Sequence, residues 1–182
     1  MLTEDDKKTR FWALYDPLHE PFVRYCRARA YGEYSPQDLV HESLLRAYEG
    51  FERVQKPEAF LYFLFGIARR VLQQQSRRFK FKGTYQEFQA QSLQDEAPSQ
   101  DQQVDVQILY AALKKLPTKQ REALILYEIC GFAVKEIQVI QQAGASAVKA
   151  RLARGRKQLA QLLKDPPLRS ISSFSTSQST SS

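Results

Sequence analysis

The sequence predicts an all-α protein made of two small helical domains that are joined by a flexible acidic linker. Apolar residues recur at three- and four-residue steps through most of residues 9–164, which is the spacing of helices that bury one face. The pattern is interrupted at residues 83–103, a stretch rich in Gln, Ser and Asp that contains acids but no basic residue after Gly83. We therefore expect helical domains at residues 1–82 and 105–164, a linker at 83–104 and a disordered Ser/Thr-rich tail at 165–182.

Composition restricts the classes of protein to which the chain can belong. With 182 residues and 43% hydrophobic content, the chain is long and apolar enough to bury a core. The formal net charge of +7 favours polyanionic partners. No run of about eighteen apolar residues occurs, so we expect no membrane insertion, and the N-terminal residues lack a secretory pattern, which predicts a cytoplasmic protein. Cys26 and Cys130 stand among apolar residues and are expected to be buried free thiols.

The first domain is expected to begin with one helix, or two closely joined helices, over residues 9–26, because Pro17 and Pro21 interrupt a helical pattern. A new helix should start after Ser35, since serine is a good N-cap and the proline that follows suits the first helical position. Gly50 stands where helix-ending glycines occur, so we expect the helix to end there.

A long helix is predicted over residues 57–79, after a loop at residues 51–56. Its second half is basic and contains no acid, and aromatic residues stand beside the arginines. Such a combination suits unpaired bases and phosphates, although the same rings could simply belong to the core. We favour the core for Phe63 and leave Tyr62 and Phe65 open between the two interpretations.

The second domain is expected to end in a short helix at about residues 134–141, a turn at 142–144 and a long basic helix. One face of the long helix is apolar, and most of its remaining surface is basic. This layout is typical of the recognition helix of a helix-turn-helix, which reads DNA. A solvated basic face, or a contact with a membrane or a protein, is the alternative.

Two separate blocks of the chain resemble the extracytoplasmic-function (ECF) group of bacterial sigma factors, the smallest sigma subunits of RNA polymerase. Residues 38–48, DLVHESLLRAY, and residues 60–69 look like region 2 of that family. Residues 113–122, LKKLPTKQRE, and residues 148–156, VKARLARGR, look like region 4. Two blocks in the right order are more specific than a single helix-turn-helix. The resemblance implies a sigma factor that binds RNA polymerase core and directs promoter-specific transcription initiation.

The resemblance also implies partners and contact residues. The first domain would bind the clamp helices of the polymerase largest subunit and capture the minus-ten element, while the second would read the minus-thirty-five element of promoter DNA. The implied clamp contacts are Asp38, His41, Glu42, Leu45 and Arg46. The expected minus-ten contacts are Phe51, Arg53, Lys56, Tyr62, Arg69, Arg70 and Arg77. The expected minus-thirty-five contacts are Ser146, Lys149, Ala150, Arg151, Arg154 and Lys157. An anti-sigma factor is a further candidate partner, and the acidic linker is expected to occupy the basic RNA-exit path of the polymerase.

Several positions depart from the family pattern. Arg70 and Gln74 stand where the family usually has Asn and Asp, which predicts a different minus-ten preference. Ala133 replaces a serine cap, a loss that costs about 1 kcal/mol, and Gln141 replaces an apolar residue at the turn, which predicts a buried polar cost. Gly144 replaces the second serine cap. The alternative function is therefore a sigma-like protein that binds polymerase or an anti-sigma factor with impaired minus-thirty-five reading.

The sequence offers no evidence for an enzyme. His19 and His41 are the two histidines, and neither lies at metal-ligand spacing with a cysteine or a carboxylate cluster. Neither a nucleophile motif nor a Gly-rich phosphate loop occurs. We therefore predict a non-catalytic protein without a metal or a cofactor.

Overall fold

A computed structural model describes residues 3–82 and 100–164, with side chains at 3–80 and 102–164. The described residues contain α-helices and no strand, which confirms the all-α class. We call residues 3–82 unit 1 and residues 100–164 unit 2. The helices are α1 Glu4–Tyr15, α2 His19–Ala30, α3 Pro36–Glu49, α4 Ala59–Lys82, α5 Gln100–Lys114, α6 Thr118–Leu124, α7 Val134–Gln141 and α8 Ala145–Lys164.

The sequence predicted either one helix or two closely joined helices at the start of the chain, and the structure contains two, α1 and α2. A single 3-10 turn, Asp16–Leu18, connects α1 to α2 and contains the first proline of the pair. Pro21 lies in the first turn of α2, where a missing backbone N–H leaves no intrahelical hydrogen bond unmade. Helix α1 begins at Glu4, whereas the sequence predicted a start at residue 9. Thr3 caps α1, because its side chain accepts a hydrogen bond of 3.2 Å from the backbone N–H of Asp6.

The predicted start of α3 is confirmed. Ser35 Oγ accepts a hydrogen bond of 3.3 Å from the backbone N–H of Asp38, and Pro36 is the first helical residue. Gly50 ends the helix as expected, but with an ordinary φ of −91° and not in the left-handed region. Glycine is needed at this position for space and not for its backbone conformation. A Cβ at Gly50 would lie 3.2 Å from Cζ of Phe63, so the absence of a side chain leaves room for that ring.

Aromatic rings fill the core of unit 1. Phe11 packs edge-on against Phe51 and Phe60, with ring centroids 5.4 and 5.6 Å apart. Phe65 is fully buried, which decides in favour of the core for that residue, whereas Tyr62 is 38% exposed. The helix that carries them, α4, starts two residues later than predicted and extends to Lys82.

The linker prediction requires a correction at its end. Helix α5 starts at Gln100, so residues 100–104, which we had placed in the linker, are helical. We predicted the start of unit 2 from an apolar stripe that begins at Val106. The first turn of α5 is polar and buries no face, so the apolar pattern does not mark it. Residues 83–99 and the tail at 165–182 lie outside the described residues, as do the predictions made for them.

The helix-turn-helix is present in unit 2. Helix α6 continues as a π-helical segment, Ile125–Ile129, and Gly131 then turns the chain with a φ of +79°. The turn after α7 lies where predicted, and Gln142 supplies its left-handed residue with a φ of 46°. On α8, the apolar stripe is buried at Val148, Leu152 and Gly155, while Ala145, which we had assigned to the same stripe, is exposed.

The two units share one hydrophobic core. Phe65 of α4 packs edge-on against Phe132 of unit 2, with centroids 5.5 Å apart. Tyr31, which follows α2, packs against Tyr110 of α5 at 5.7 Å. Sequence reasoning identified the two units but did not predict that they are packed against each other.

Candidate nucleic-acid and polymerase interface

Helix α8 presents its basic face to solvent. Ser146, Lys149, Arg154 and Lys157 are exposed, and the other two predicted contacts, Ala150 and Arg151, are half-buried. This orientation is possible because α8 lies very close to α6. A Cβ added to Gly155 would lie 2.9 Å from Cδ1 of the buried Leu124. Because one side of α8 packs tightly against α6, most of the predicted minus-thirty-five contacts lie on the opposite, solvent-facing side of α8.

Gln141, which we expected to be a polar residue without adequate partners, is fully hydrogen-bonded. Its Nε2 donates to the carbonyl oxygen of Lys119 at 3.1 Å and to Oε2 of Glu122 at 3.0 Å. Its Oε1 accepts from Nη1 of Arg151 on α8 at 2.8 Å. The predicted buried polar cost was therefore wrong, because the amide joins α6, α7 and α8.

The start of α7 also compensates in part for its missing serine. The backbone N–H of Ala133 donates a hydrogen bond of 2.8 Å to Oε2 of Glu136, three residues further on. This is one half of a capping box, and the alanine side chain cannot supply the other half. The helix-turn-helix is thus complete despite its departures from the family pattern.

An open pocket lies between the end of α3, the loop after it and α4. Its volume is about 220 Å³. The residues that line it are Arg46, Gly50, Arg53, Phe63, Ile67, Arg70 and Gln74. Three arginines and one phenylalanine thus line the same pocket. Sequence reasoning had assigned Arg53 and Arg70 to minus-ten binding but had placed Arg46 at the polymerase clamp.

The remaining pocket residues could have been found from their spacing. Phe63, Ile67, Arg70 and Gln74 recur at steps of three and four residues, so they share one face of α4. That face borders the buried one, because Ile67 is itself a core residue that is 6% exposed. Phe63 is half-buried and packs against the core, as the sequence favoured, and it also lines the pocket. The sequence had connected Gln74 with minus-ten preference only as a departure from the family pattern.

Two of the predicted minus-ten residues are engaged within the protein in this structure, one of them buried and the other half-buried. Phe51 is 2% exposed and belongs to the aromatic core, so its assignment as a DNA contact was wrong. Arg69 contacts unit 2, where Nη2 donates to the carbonyl oxygen of Ile140 and Nε lies 3.5 Å from Oε1 of Glu122. The other predicted residues, Lys56, Tyr62 and Arg77, are exposed outside the pocket.

The predicted clamp-binding residues lie along α3. Asp38, His41 and Leu45 are exposed, and Leu45 exposes 60% of its surface. Glu42 forms an ion pair with Arg46 on the next turn and accepts a hydrogen bond of 3.1 Å from the Tyr34 hydroxyl. Burial and this carboxylate raise the pKa of Tyr34 to about 12. The result is a fixed acidic and polar helix face with one aliphatic side chain projecting from it.

The described part of the chain contains neither a metal-binding cluster nor a membrane-spanning helix. No group of three or more His, Cys, Asp or Glu residues there could hold a metal ion. None of the described helices is both long enough and apolar enough to cross a membrane.

The fold and the exposed basic helix define a helical DNA-binding protein with a helix-turn-helix unit. Residues 14–80 match the family model for Sigma-70 region 2, and residues 106–159 match the model for Sigma-70, region 4. The chain is 33% identical over 131 residues to the ECF RNA polymerase sigma factor EcfG of Rhodopseudomonas palustris (strain TIE-1), an alignment that covers 69% of this chain and 70% of the relative. The chain therefore belongs to the ECF group of RNA polymerase sigma factors.

Other comparisons agree with this assignment. The chain is 27% identical over 158 residues to the ECF RNA polymerase sigma factor SigX of Bacillus subtilis (strain 168), covering 82% of this chain and 81% of the relative. Its fold is similar to that of CnrH in complex with the cytosolic domain of CnrY, with a TM-score of 0.61 and 20% identity over 86% of this chain and 88% of that one. It is also similar to the sigma factor RpoE in complex with the anti-sigma factor NepR from Bartonella quintana, with a TM-score of 0.60 and 22% identity over 85% and 99% of the two chains.

Membership of the family confirms the function and the main partners that the sequence predicted. The protein is a sigma factor that directs promoter-specific transcription, and RNA polymerase and promoter DNA are its partners. Sigma factors are regulatory and non-catalytic, which is consistent with the expectation that this protein is not an enzyme.

Proposed function

We propose that this sigma factor opens promoters by holding an unpaired minus-ten base in the pocket of unit 1, while α8 reads duplex DNA at minus thirty-five and α3 binds the polymerase clamp helices. The observation that carries the proposal is the pocket, because it combines three arginines with an aromatic ring beside an exposed basic helix. The proposal also places this sigma factor in the cytoplasm, where sigma factors of its family act on RNA polymerase.

The chemistry of the pocket suits a base that has left the stack. The ring of Phe63 offers a face on which a base can stack, and such stacking contributes about 1–3 kcal/mol per base. Arg53 and Arg70 can bind the flanking phosphates, and the amide of Gln74 can donate to and accept from a base edge. In this structure the Gln74 oxygen accepts a hydrogen bond of 2.9 Å from Arg46. The pair thus fixes the orientation of the amide.

The duplex contact is supported by the geometry of α8. A recognition helix enters the major groove by its N-terminal part, where Ser146 and Lys149 are exposed. Arg154 and Lys157 lie further along the same helix and suit phosphate contacts. The complete turn before α8 supports sequence reading over the alternative of a sigma-like protein that has lost it.

The polymerase contact is supported by the exposed face of α3. Asp38, His41 and Glu42 provide polar groups around Leu45, whose side chain can pack into a groove between the helices of a coiled coil. Arg46 belongs to both surfaces, since it pairs with Glu42 and also lines the pocket. Binding of the clamp could thus order the pocket through a single side chain. An anti-sigma factor could bind the same faces.

In vitro transcription with core polymerase and a library of promoter fragments tests the proposal. We expect the wild-type protein to give promoter-specific transcripts. Arg53→Ala and Arg70→Ala should lower open-complex formation, measured by the reactivity of unpaired thymines with permanganate, by about tenfold or more, which is the scale of a lost charged hydrogen bond. Arg24→Ala is the control, because this arginine is exposed on α2, away from the pocket.

Full promoter opening by both pocket variants would contradict the assignment. Core binding by the wild type without initiation would instead support the sigma-like alternative.

A further inference from the structure

The side-chain amide of Gln74 is held in one orientation by Arg46. Nη1 of Arg46 on α3 donates a hydrogen bond of 2.9 Å to Oε1 of Gln74 on α4. Because a guanidinium group carries donors and no acceptor, the amide atom that faces it must be the oxygen. The two N–H groups on Nε2 are therefore the part of this amide that can bind a ligand in the pocket.

Arg46 is itself bound at its other terminal nitrogen. Nη2 forms an ion pair with Oε1 of Glu42, one turn earlier on α3. Oε2 of the same carboxylate accepts a hydrogen bond of 3.1 Å from the hydroxyl of Tyr34. A guanidinium group held in this way cannot turn away without breaking a charge-assisted hydrogen bond. The orientation of the Gln74 amide thus depends on a chain of contacts that starts at Tyr34 and lies entirely within unit 1.

The other groups that line the pocket are donors or apolar. Of the seven lining residues, three are arginines, whose side chains carry donors and no acceptor, and three have no hydrogen-bonding group in the side chain. The carbonyl oxygens of Arg46 and Gly50 already accept backbone hydrogen bonds from Gly50 and Arg53. The one side-chain acceptor, Oε1 of Gln74, is bound to Arg46. The pocket therefore presents hydrogen-bond donors to a ligand.

The four bases differ in how well they match a pocket of donors. Guanine has two adjacent acceptors, O6 and N7, and cytosine has O2 and N3. In adenine the N6 amino group lies beside N7, and in thymine an N–H separates the two carbonyl oxygens, so a donor would face the donors of the pocket. Nε of Arg70 donates to the carbonyl oxygen of Gly66 at 3.3 Å, which leaves the terminal nitrogens of Arg70 for a bidentate contact with adjacent acceptors.

We propose that Gln74 is a specificity-determining residue of this sigma factor and that Arg46 is the residue that positions it. The pocket selects an unpaired base with two adjacent acceptors, guanine or cytosine, and rejects adenine and thymine. This inference rests on the proposed function, because it concerns which base the pocket of unit 1 holds. Arg46 acts on this choice through Gln74, since it occupies the oxygen that a glutamine amide needs for its bidentate contact with adenine.

The test measures base preference with holoenzyme that is formed at saturating core polymerase. A promoter that the wild-type protein opens is prepared with each of the four bases at every position of the minus-ten element, and the yield of run-off transcript is measured for each. The ratio of yields between two bases does not depend on how much holoenzyme forms. A loss of affinity for core in a variant of Arg46, which also lies on the clamp-binding face, therefore does not affect the ratio.

Three variants change the pocket, and two matched variants are controls. Gln74→Leu removes the amide, Gln74→Glu replaces its donors with an acceptor, and Arg46→Met releases its oxygen. Gln73→Leu changes an adjacent exposed glutamine that does not line the pocket. Arg24→Met breaks an ion pair with Glu20 that has the same spacing on α2 as the pair of Arg46 has on α3. Circular dichroism establishes that each variant is folded.

We expect the wild-type protein to favour guanine or cytosine over adenine by about tenfold at one position, which is the scale of one bidentate base contact. Gln74→Leu should reduce this preference at that position alone. Gln74→Glu should raise the yield with adenine relative to guanine there, because one carboxylate oxygen stays with Arg46 and the other accepts from the N6 amino group. Arg46→Met should also raise the yield with adenine, by about fivefold, since the freed amide can bind N6 and N7 together. Both controls should keep the preferences of the wild type.

A wild-type preference for adenine or thymine at the position that Gln74→Leu alters would overturn the proposal. Preferences that stay the same in both Gln74 variants would overturn it as well, and an unchanged preference in Arg46→Met would refute the positioning role. Failure of the proposed function gives a different result, because Arg70→Ala would then open promoters fully. If Gln74 alone is wrongly assigned, Arg70→Ala still lowers promoter opening while the base preferences of the Gln74 variants match those of the wild type.

Discussion

The hydroxyl of Tyr25 donates a hydrogen bond of 2.9 Å to the carboxylate of Glu122, although 97 positions separate the two residues in the sequence. The ring of Tyr25 packs edge-on against that of Phe65, with centroids 4.9 Å apart, and this contact helps to orient the hydroxyl. A bond of this kind joins α2 of unit 1 to α6 of unit 2 in the interior of the protein. It follows that the protonation of one tyrosine is coupled to the packing of both units.

This coupling predicts a loss of stability in alkali. Burial and the charge of Glu122 raise the pKa of Tyr25 well above 10.0, so above pH 10 the folded state retains a proton that the unfolded state releases. The stability gained from the hydroxyl is therefore complete below pH 10 and declines above it, by about 1.4 kcal/mol per pH unit. Urea unfolding at pH 9, 10 and 11 measures the slope. Tyr25→Phe should show a shallower decline, and identical slopes for variant and wild type would contradict the prediction.

Replacing Gln141 with leucine, the apolar type expected from the family pattern, should destabilise the protein. Gln141→Leu leaves Arg151 and the carboxylate of Glu122 each without one hydrogen bond, at a cost of about 1–3 kcal/mol. Urea unfolding at pH 7 measures the change. Gln158→Leu, on the exposed surface of α8, is the control and should change stability by less than about 0.5 kcal/mol. A Gln141→Leu protein that is more stable than the wild type would refute the role of the amide.

Gly155 should not accept a larger side chain. A Cβ at this position would lie 2.9 and 3.1 Å from two atoms of the buried Leu124, so Gly155→Val forces α8 away from α6 at a cost of about 1–3 kcal/mol. Thermal unfolding measures the loss. Gly66 is a matched glycine inside a helix, where an added Cβ would meet only Nη2 of Arg70 at 4.0 Å, and Gly66→Ala should be neutral or stabilising by up to about 1 kcal/mol. Tolerance of valine at position 155 would mean that the two helices are packed less closely than described.

Lys149 and Arg154 are expected to contribute differently to DNA binding. If Arg154 contacts phosphate, Arg154→Ala should weaken binding to all sequences and lower the slope of log affinity against log salt by about one unit. If Lys149 contacts a base edge, Lys149→Ala should mainly relax the preference at one position, with a loss of about 1–3 kcal/mol on the preferred sequence. Fluorescence anisotropy with minus-thirty-five duplexes at several salt concentrations measures both effects. Equal losses from both variants on every sequence would rule out this division of roles.

Local sequence patterns were sufficient for most of the fold. The Ser35 cap, the turn at residues 142–144 and the buried stripe of α8 lie where expected, because each depends on residues within one or two helical turns. The start of α5 was wrong for a related reason, since its first turn, residues 100–103, carries no apolar residue that marks it. The candidate site was predicted less well. Arg53 and Arg70 were found from their charge, whereas Phe51 was misplaced because an aromatic ring looks the same in a core and in a binding pocket.

The sequence by itself determined the helical class, the two units and their family, because these depend on periodicity, caps and motifs that are continuous in the chain. Only the tertiary structure decided the state in which the units are found. The bond from Tyr25 to Glu122, the contact of Arg69 with α7 and the three partners of Gln141 all join residues that are distant in the chain. Such contacts depend on the packing of whole helices against one another, and no spacing within one helix specifies them.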